Sequence, residues 1–223
     1  MEKLACVILM AGSSVRFGGP KNKLLCLLDG KPVFSYSLET FAKHKNISEL
    51  VLVVGDETQD AVQKYVDKHN IKATLVHGGA KRQESVANGL RALDFNVEDI
   101  VIVHDAARPL IDDEIITKVI EAARDVGACT AYVDATDTIA IKNKNEEITS
   151  FIYRESIAQI QTPQAFRFGF LKSAHQWAQD ANATDDCSLI LMEGHTVKLV
   201  KGKKKYHKIT TQEDIKYLEG FLK

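Results

Sequence analysis

The sequence predicts an α/β fold in which a mostly parallel central sheet is covered by helices on both faces. Short apolar runs alternate with amphipathic helical patterns along the 223-residue chain. The apolar runs lack polar alternation, as expected of strands that are buried on both faces. The length is that of one domain, so we expect a single domain over residues 1–223.

Each predicted element has a local pattern of its own. Leu4-Ala-Cys-Val-Ile-Leu-Met10 is apolar throughout, and Pro32 suits the first turn of the helix that follows. Acidic residues at the start of the helix near residue 112 suit the helix dipole. The predicted strands are residues 4–10, 50–54, 73–76, 100–103, 128–133 and 196–200. The predicted helices are residues 32–43, 58–69, 82–93, 112–126, 168–179, 185–193 and 211–222.

Residues 136–156 interrupt the alternation and predict a protruding β-hairpin arm. Residues 138–142 and 148–153 alternate apolar and polar side chains on either side of the polar turn Asn143-Lys-Asn145. A two-stranded hairpin is only marginally stable by itself, so the arm needs a surface to lie against. That surface is either a second subunit or the arm's own domain.

Composition excludes several classes of function. The formal net charge of -1 provides no global field for nucleic acid or an anionic membrane. The basic run at residues 201–205 lacks interleaved aromatic residues, and we interpret it as a solvated loop rather than a nucleic-acid site. No apolar run approaches the ~20 residues that span a bilayer, and the N-terminus has no signal-peptide pattern. Cys6, Cys26, Cys129 and Cys187 form no CxxC pair, so we expect a reduced, soluble, cytoplasmic protein.

Three polar loops each follow a predicted strand, and the carboxyl ends of parallel strands meet at one edge of a sheet. The first loop, residues 11–23, combines glycines with Arg16, Lys21 and Lys23. It matches neither a Walker loop nor a dinucleotide fingerprint, but its N–H groups and cations suit a triphosphate. The alternative is a solvated basic loop.

The other two loops follow the strands that end near residues 76 and 103. In His104-Asp-Ala-Ala-Arg-Pro109, Asp105 could hold a metal or a sugar hydroxyl, and Arg108 could contact a phosphate. The alternative there is an Asp–Arg ion pair that closes a turn. Gly78-Gly79 enters a helix start, where backbone can approach a base closely, although a plain strand-to-helix turn is equally compatible with it.

Together these loops resemble those of the 2-C-methyl-D-erythritol 4-phosphate cytidylyltransferases of non-mevalonate isoprenoid synthesis. The resemblance extends along essentially the whole chain. It is carried by Ala11-Gly12 with Arg16 and Lys23, Gly78-Gly79 with Arg82, Ser85 and Val86, His104-Asp-Ala-Ala-Arg-Pro109, Asp137-Thr138, Thr162-Pro163-Gln164, Thr184-Asp185-Asp186, and Lys208.

The resemblance implies a Rossmann-like nucleotidyltransferase domain whose hairpin arm, at about residues 136–156, builds a homodimer. It implies that Arg16 and Lys23 are catalytic and that Mg²⁺ is bound with CTP, with Asp105 as a possible ligand. The implied nucleotide contacts are Ala11, Gly12, Gly79, Ser85 and Ala106. The implied contacts of the polyol phosphate are Asp105, Arg108, Thr138, Arg154, Thr184 and Lys208.

Three positions depart from the family pattern and bear on nucleotide contacts: Met10, Ser14 and Ala80. The implied reaction joins CMP from CTP to 2-C-methyl-D-erythritol 4-phosphate and releases pyrophosphate. Ribitol-5-phosphate cytidylyltransferase is the nearest alternative because it shares most of these motifs. A non-catalytic CTP-binding protein is a more remote one.

Overall fold

A computed structural model describes residues 2–12, 14, 17–18, 22–177, 183 and 185–223 of the chain. The strands are β1 (Leu4–Met10), β2 (Leu27–Leu28), β3 (Lys31–Pro32), β4 (Glu49–Val54), β5 (Thr74–His77), β6 (Ile100–Asp105), β7 (Ala128–Asp134), β8 (Ile139–Lys142), β9 (Ile148–Ile152), β10 (Ala158–Arg167) and β11 (Lys198–Lys201). The helices are α1 (Val33–Lys43), α2 (Asp56–Lys68), α3 (Arg82–Arg91), α4 (Asp113–Val126), α5 (Phe168–Trp177), α6 (Asp186–Met192) and α7 (Gln212–Glu219).

Seven strands form one sheet in the order β11-β7-β10-β6-β1-β4-β5. β1 pairs in parallel with β4 and with β6, so the strands that carry the three polar loops are neighbours or near neighbours. Every pairing in this sheet is parallel except those of β10, which runs antiparallel to β6 and to β7. The prediction of a mostly parallel sheet is therefore confirmed.

The sheet separates two hydrophobic layers, and alternate side chains of β1 enter each of them. Cys6 and Ile8 belong to the layer under α1, α2, α4 and α7, whereas Ala5 and Val7 belong to the layer under α3, α5 and α6. All four side chains are fully buried. Burial on both faces explains why the strand is apolar without alternation.

β10 has no counterpart among the strands predicted from the sequence. Pro163 lies inside it, and a proline within a run argues against a central strand because it cannot donate a ladder hydrogen bond. The register of β10 against β7 shifts between Ile160 and Gln164, so the proline occupies an interruption of the ladder. The interruption accommodates a residue that regular pairing would exclude.

The hairpin arm is present as a separate two-stranded sheet of β8 and β9. Its turn is closed by the Asn143 N–H, which donates to the Glu147 carbonyl at 3.0 Å. Phe151 and Tyr153 are about two-thirds exposed, at 67% and 70%. The arm therefore presents aromatic side chains that this chain leaves uncovered.

The last helix, α7, begins with a capping box formed by Thr211 and Asp214. Pro32 occupies the N-cap position, immediately before α1, and does not lie in the first turn of the helix as predicted. No helix within the described ranges combines the length and the apolar character that crossing a membrane requires.

Candidate active site

A cleft of about 530 Å³ opens at the carboxyl ends of β1, β5 and β6. The three polar loops predicted to converge there all contribute to its wall, together with the segment before α7. Its lining residues are Leu9, Ala11, Gly12, Ser14, Phe17, Lys23, Leu24, Gly79, Ala80, Lys81, Arg82, Ser85, Asp105, Ala107 and Lys208. Four of these side chains are basic and one is acidic, so the cleft suits an anionic ligand.

Asn22 organises the loop that follows β1. Its side-chain amide donates to the Gly12 carbonyl at 2.9 Å, and its Oδ1 accepts from the Ser14 hydroxyl at 3.1 Å. The Ser14 Oγ accepts the Lys23 backbone N–H at 3.2 Å, and the Lys23 Nζ donates to the Ile209 carbonyl at 2.8 Å. Lys23 is thus held at both ends, and its ammonium group lies beside the segment that carries Lys208.

Asp105, at the end of β6, lies between two cations. Its Oδ2 accepts from the Lys208 Nζ at 2.6 Å, and its Oδ1 lies 3.5 Å from the Arg82 Nε. Burial raises the pKa of Asp105, but the charges of Arg82 and Lys208 outweigh burial and hold this pKa well below its usual range. Asp105 is therefore ionised. No ion pair joins Asp105 to Arg108, so the alternative of an Asp105–Arg108 pair that closes the turn is not what the structure has.

His104 and Thr162 fix the backbone around Asp105. The Thr162 Oγ1 accepts the Asp105 N–H at 3.1 Å and lies 3.0 Å from the His104 Nδ1, while the His104 Nε2 lies 3.1 Å from the Arg108 carbonyl. A carbonyl only accepts, so Nε2 carries the proton and Nδ1 accepts from the threonine hydroxyl. Burial lowers the pKa of His104 to about 3. His104 is therefore a neutral structural residue.

The glycine pair after β5 packs against the first loop. A Cβ at Gly78 would lie 2.3 Å from the Ala11 Cβ and 2.9 Å from the Ser85 Oγ, so only glycine fits there. The Gly79 N–H donates to the Ser85 Oγ at 3.1 Å, and that hydroxyl donates to the Lys81 carbonyl at 3.1 Å. Ala11, Gly12, Gly79 and Ser85 therefore meet in one wall of the cleft.

Not every residue of the predicted site lines this cleft. Ala106 is fully buried and its N–H donates to the Leu9 carbonyl, whereas its neighbour Ala107 faces the cleft. Arg108 turns away and donates to the carbonyls of Tyr206 and Ile160, at 2.9 and 3.3 Å. Thr138 and Arg154 lie together in a separate depression on the arm. Arg16 and Thr184 lie outside the described residues.

The basic run near the C-terminus is paired with acidic groups. Lys203 and Lys205 contact the Asp112 carboxylate at 2.9 and 3.0 Å, and Lys201 contacts Asp134. The Tyr206 hydroxyl donates to the same Asp112 at 2.6 Å. These contacts agree with a solvated, self-neutralised loop, and they anchor the segment that carries Lys208.

Reasoning from the sequence gave no role to Arg82, which lines the cleft, or to Asp186 and His175, which lie behind it. Arg82, the first residue of α3, donates from Nη1 to the Asp186 Oδ2 at 2.7 Å, and the Asp186 Oδ1 lies 2.9 Å from the His175 Nε2. Arg82 and Asp186 stand in motifs that carry the family resemblance, which was the available signal. His175 lies in an unremarkable helical pattern, so nothing in the sequence pointed to it.

No cluster of three or more His, Cys, Asp or Glu that could hold a metal occurs among residues 2–12, 14, 17–18, 22–177, 183 and 185–223. Mg²⁺ that enters with a nucleotide needs only one or two carboxylates in addition to phosphate oxygens. Asp105 is ionised and is the one carboxylate among the described lining residues. The donor set of the cleft therefore fits a nucleotide-borne Mg²⁺.

A parallel sheet with a cation-rich cleft, walled by glycines at the carboxyl edge, is typical of nucleotide-binding α/β proteins. Comparison of this chain with known families narrows its class to the nucleotidyltransferase enzymes. The family model described as 2-C-methyl-D-erythritol 4-phosphate cytidylyltransferase matches residues 4–223. The chain belongs to this family.

Individual relatives agree with that assignment. The chain is 38% identical to the 2-C-methyl-D-erythritol 4-phosphate cytidylyltransferase of Alkaliphilus metalliredigens, over 99% of this chain and 93% of the relative. It is 37% identical to that of Clostridium tetani, over 100% and 92% of the two chains. Among solved structures, the 4-diphosphocytidyl-2C-methyl-D-erythritol synthase of Anaerococcus prevotii superposes with a TM-score of 0.88, at 29% identity over 99% of this chain and 96% of that one.

Proposed function

We propose that this enzyme transfers CMP from CTP to 2-C-methyl-D-erythritol 4-phosphate, giving 4-diphosphocytidyl-2-C-methyl-D-erythritol and pyrophosphate. Family membership over residues 4–223 supports the reaction. The structural observation that carries the site assignment is the meeting of Lys23 and Lys208 in one cleft. The Lys23 ammonium group bonds to the carbonyl of Ile209, the residue next to Lys208.

The reaction is an in-line attack by an oxygen of the substrate phosphate on the α-phosphorus of CTP. The P–O bond to the β-phosphate breaks as the new P–O bond forms, and pyrophosphate leaves. The attacking oxygen is already anionic, so no general base is required. Two polyanions must instead be held together, and fixed cations perform that task.

Lys23, Lys208 and the backbone wall of the cleft each have a distinct part in this proposal. Lys23, with Arg16, offsets the charge that develops at the α-phosphorus and the leaving pyrophosphate. The wall formed by Ala11, Gly12, Gly79 and Ser85 receives the cytosine and ribose. Lys208 binds the phosphate of the polyol, with Asp105 beside it. The contacts proposed for Ala106, Arg108 and Thr184 remain predictions.

We also propose that Mg²⁺ accompanies CTP, held by its phosphates and by Asp105. Such an ion would neutralise part of the phosphate charge. Removing divalent cations with EDTA should abolish pyrophosphate release, and adding Mg²⁺ in excess should restore it. Full activity in EDTA would contradict the proposal.

A homodimer built through the arm supplies Thr138 and Arg154 to the neighbouring subunit's site in this proposal. The exposed aromatic residues of the arm support it, as does the position of Thr138 and Arg154 in a depression that shares no lining residue with the cleft. Subunit mixing gives a direct test. Lys23→Ala and Arg154→Ala should each be nearly inactive, but mixed subunits should regain about a quarter of wild-type activity, because half the dimers are mixed and each contains one intact composite site. Additive, unrestored activity would refute the composite site.

The proposed setting is the cytoplasm, without nucleic acid or membrane as a partner. The pairing of Lys201, Lys203 and Lys205 with acidic side chains supports the absence of a nucleic-acid surface.

Pyrophosphate release tests the proposed function most directly. CTP should be turned over with 2-C-methyl-D-erythritol 4-phosphate and far more slowly with ribitol 5-phosphate at the same concentration. A preference for ribitol 5-phosphate would show that the enzyme is a ribitol-5-phosphate cytidylyltransferase. CTP binding without release of pyrophosphate from either acceptor would make it a non-catalytic binding protein.

A further inference from the structure

A row of paired charged and polar side chains runs from α5 and α6 into the cleft. His175 on α5 contacts Asp186 at the start of α6, and Asp186 contacts Arg82 at the start of α3. Arg82 then lies 3.5 Å from Asp105, which bonds to Lys208 at 2.6 Å. Only the last three residues line the cleft. Asp186 and His175 are buried behind them, at 1% and 7% exposure.

Asp186 and His175, the two buried residues of this row, contact each other, and Asp186 also contacts Arg82. Burial raises the pKa of Asp186, but Arg82 and His175 outweigh burial, so this pKa is lowered and the carboxylate is ionised. Within the described residues the His175 Nδ1 has no hydrogen-bond partner, whereas its Nε2 lies 2.9 Å from Asp186. A buried ion pair adds little net stability, because desolvation offsets the attraction, so its main consequence here is geometric.

We propose that Asp186 and His175 are positioning residues that act through Arg82 to set the placement of Asp105 and Lys208, and so the binding of the polyol phosphate. This inference rests on the proposed function. Asp186 holds one edge of the Arg82 guanidinium at 2.7 Å, which leaves the Arg82 Nε at 3.5 Å from Asp105. Lys208 can therefore take the shorter contact with the Asp105 carboxylate.

Loss of the charge on Asp186 changes how Arg82 and Lys208 share the carboxylate of Asp105. In Asp186→Asn the side chain keeps its size, but Asp105 becomes the only carboxylate that pairs with Arg82 among the ion pairs of the described residues. Arg82 then competes with Lys208 for Asp105, and Lys208 loses its fixed position. Because residues in one network couple strongly, we expect KM for the polyol phosphate to rise about tenfold, while KM for CTP changes by less than about twofold.

A double-mutant cycle separates this role from a general loss of structure. The enzymes compared are wild type, Asp186→Asn, Lys208→Met and the double variant, each assayed by pyrophosphate release with both substrates varied. In the Lys208→Met background, Asp186→Asn should change KM for the polyol phosphate by less than about twofold. An equal rise in both backgrounds, a rise confined to CTP, or a lower melting temperature with unchanged KM values would each overturn the inference.

Asp99→Asn is the matched control. Asp99 is also a buried carboxylate, at 4% exposure, and it accepts the backbone N–H groups of Lys3 and Asn96 away from the cleft. It should lower the melting temperature without changing either KM. Should Asp186→Asn fail to fold, His175→Leu replaces it and should give a smaller rise, about threefold, that also vanishes in Lys208→Met.

One readout does not depend on turnover. In protein whose lysines carry ¹³C-methyl groups, the Lys208 signal is identified by its loss in Lys208→Met, and it should shift in Asp186→Asn but not in Asp99→Asn. An unshifted signal would overturn the inference even if the protein proved inactive. Absence of pyrophosphate release in the wild type would instead refute the proposed function alone.

Discussion

Replacing Lys23 by methionine tests the electrostatic account of the cleft with little change of side-chain volume. Lys23 begins a short 3-10 turn, and its ammonium group is fixed by the Ile209 carbonyl at 2.8 Å. A unit charge about 4 Å from an opposite charge is worth roughly 4 kcal/mol at an effective dielectric constant near 20. Loss of one preorganised donor costs about 2.7–4 kcal/mol in comparable sites. Both figures predict that kcat falls by about 10²- to 10³-fold.

The assay is pyrophosphate release at saturating CTP and polyol phosphate. Lys64→Met is the matched control, because Lys64 is exposed on α2 and should tolerate the change. Lys23→Arg keeps the charge with a different shape and should fall between wild type and Lys23→Met. A kcat for Lys23→Met within about threefold of wild type, in folded protein, would refute the reasoning.

Three further predictions concern packing, thiol reactivity and pH. Gly78→Ala places a Cβ 2.3 Å from that of Ala11, so it should destabilise the protein by about 1–3 kcal/mol and raise KM for CTP. In Gly12→Ala the new Cβ has nothing within 4 Å, so stability should be unchanged. Equal melting temperatures for wild type and both variants would contradict this account. Native protein should expose one rapidly reacting thiol of four, at half-buried Cys26, because Cys6, Cys129 and Cys187 are buried and burial raises their pKa values; four fast thiols before denaturation would contradict it. The unfolded His104 side chain gains a proton near pH 6.5, whereas the folded one does so only near pH 3, so acidification between these values should lower the free energy of unfolding. The decrease should be up to about 1.4 kcal/mol per pH unit greater in wild type than in His104→Gln. Parallel profiles of unfolding free energy against pH for the two proteins would show that His104 does not titrate this way.

The elements that the sequence predicted well are those with a strong local signal. β1 has the predicted bounds because seven consecutive apolar residues are followed at once by a glycine loop. The alternation of apolar and polar residues in the arm is an equally local pattern. β10 was missed because its placement depends on tertiary pairing. Its proline is acceptable only where the ladder with β7 is interrupted, and no local pattern announces such an interruption.

In the site, too, local motifs predicted the positions of some residues, whereas the positions of others depend on contacts with residues that are distant in sequence. The convergence of Lys23, Gly79, Asp105 and Lys208 could be predicted because each follows a strand or matches a family motif, and the structure brings them into one cleft. The orientation of Arg108 could not be predicted from its loop. Its partners are carbonyls of residues 160 and 206, which lie far away in sequence. The role proposed for the arm residues requires a second chain, which no pattern within one chain can position.

The presence of Asp105 in a cleft for two polyanions has a physical explanation in the charges that surround it. Four basic side chains, Lys23, Lys81, Arg82 and Lys208, face one carboxylate there, which leaves a surplus of three positive charges among the described lining residues. Without Asp105, the ammonium group of Lys208 and the guanidinium of Arg82 would repel each other and disperse before a ligand arrived. With it, the cations are prepositioned, which is the property that electrostatic catalysis requires. A phosphate monoester alone brings about two negative charges, and a triphosphate brings more, so three positive charges do not balance both substrates. The remaining imbalance is what a divalent cation and Arg16 would have to offset, and it is the strongest physical reason to expect that turnover depends on Mg²⁺.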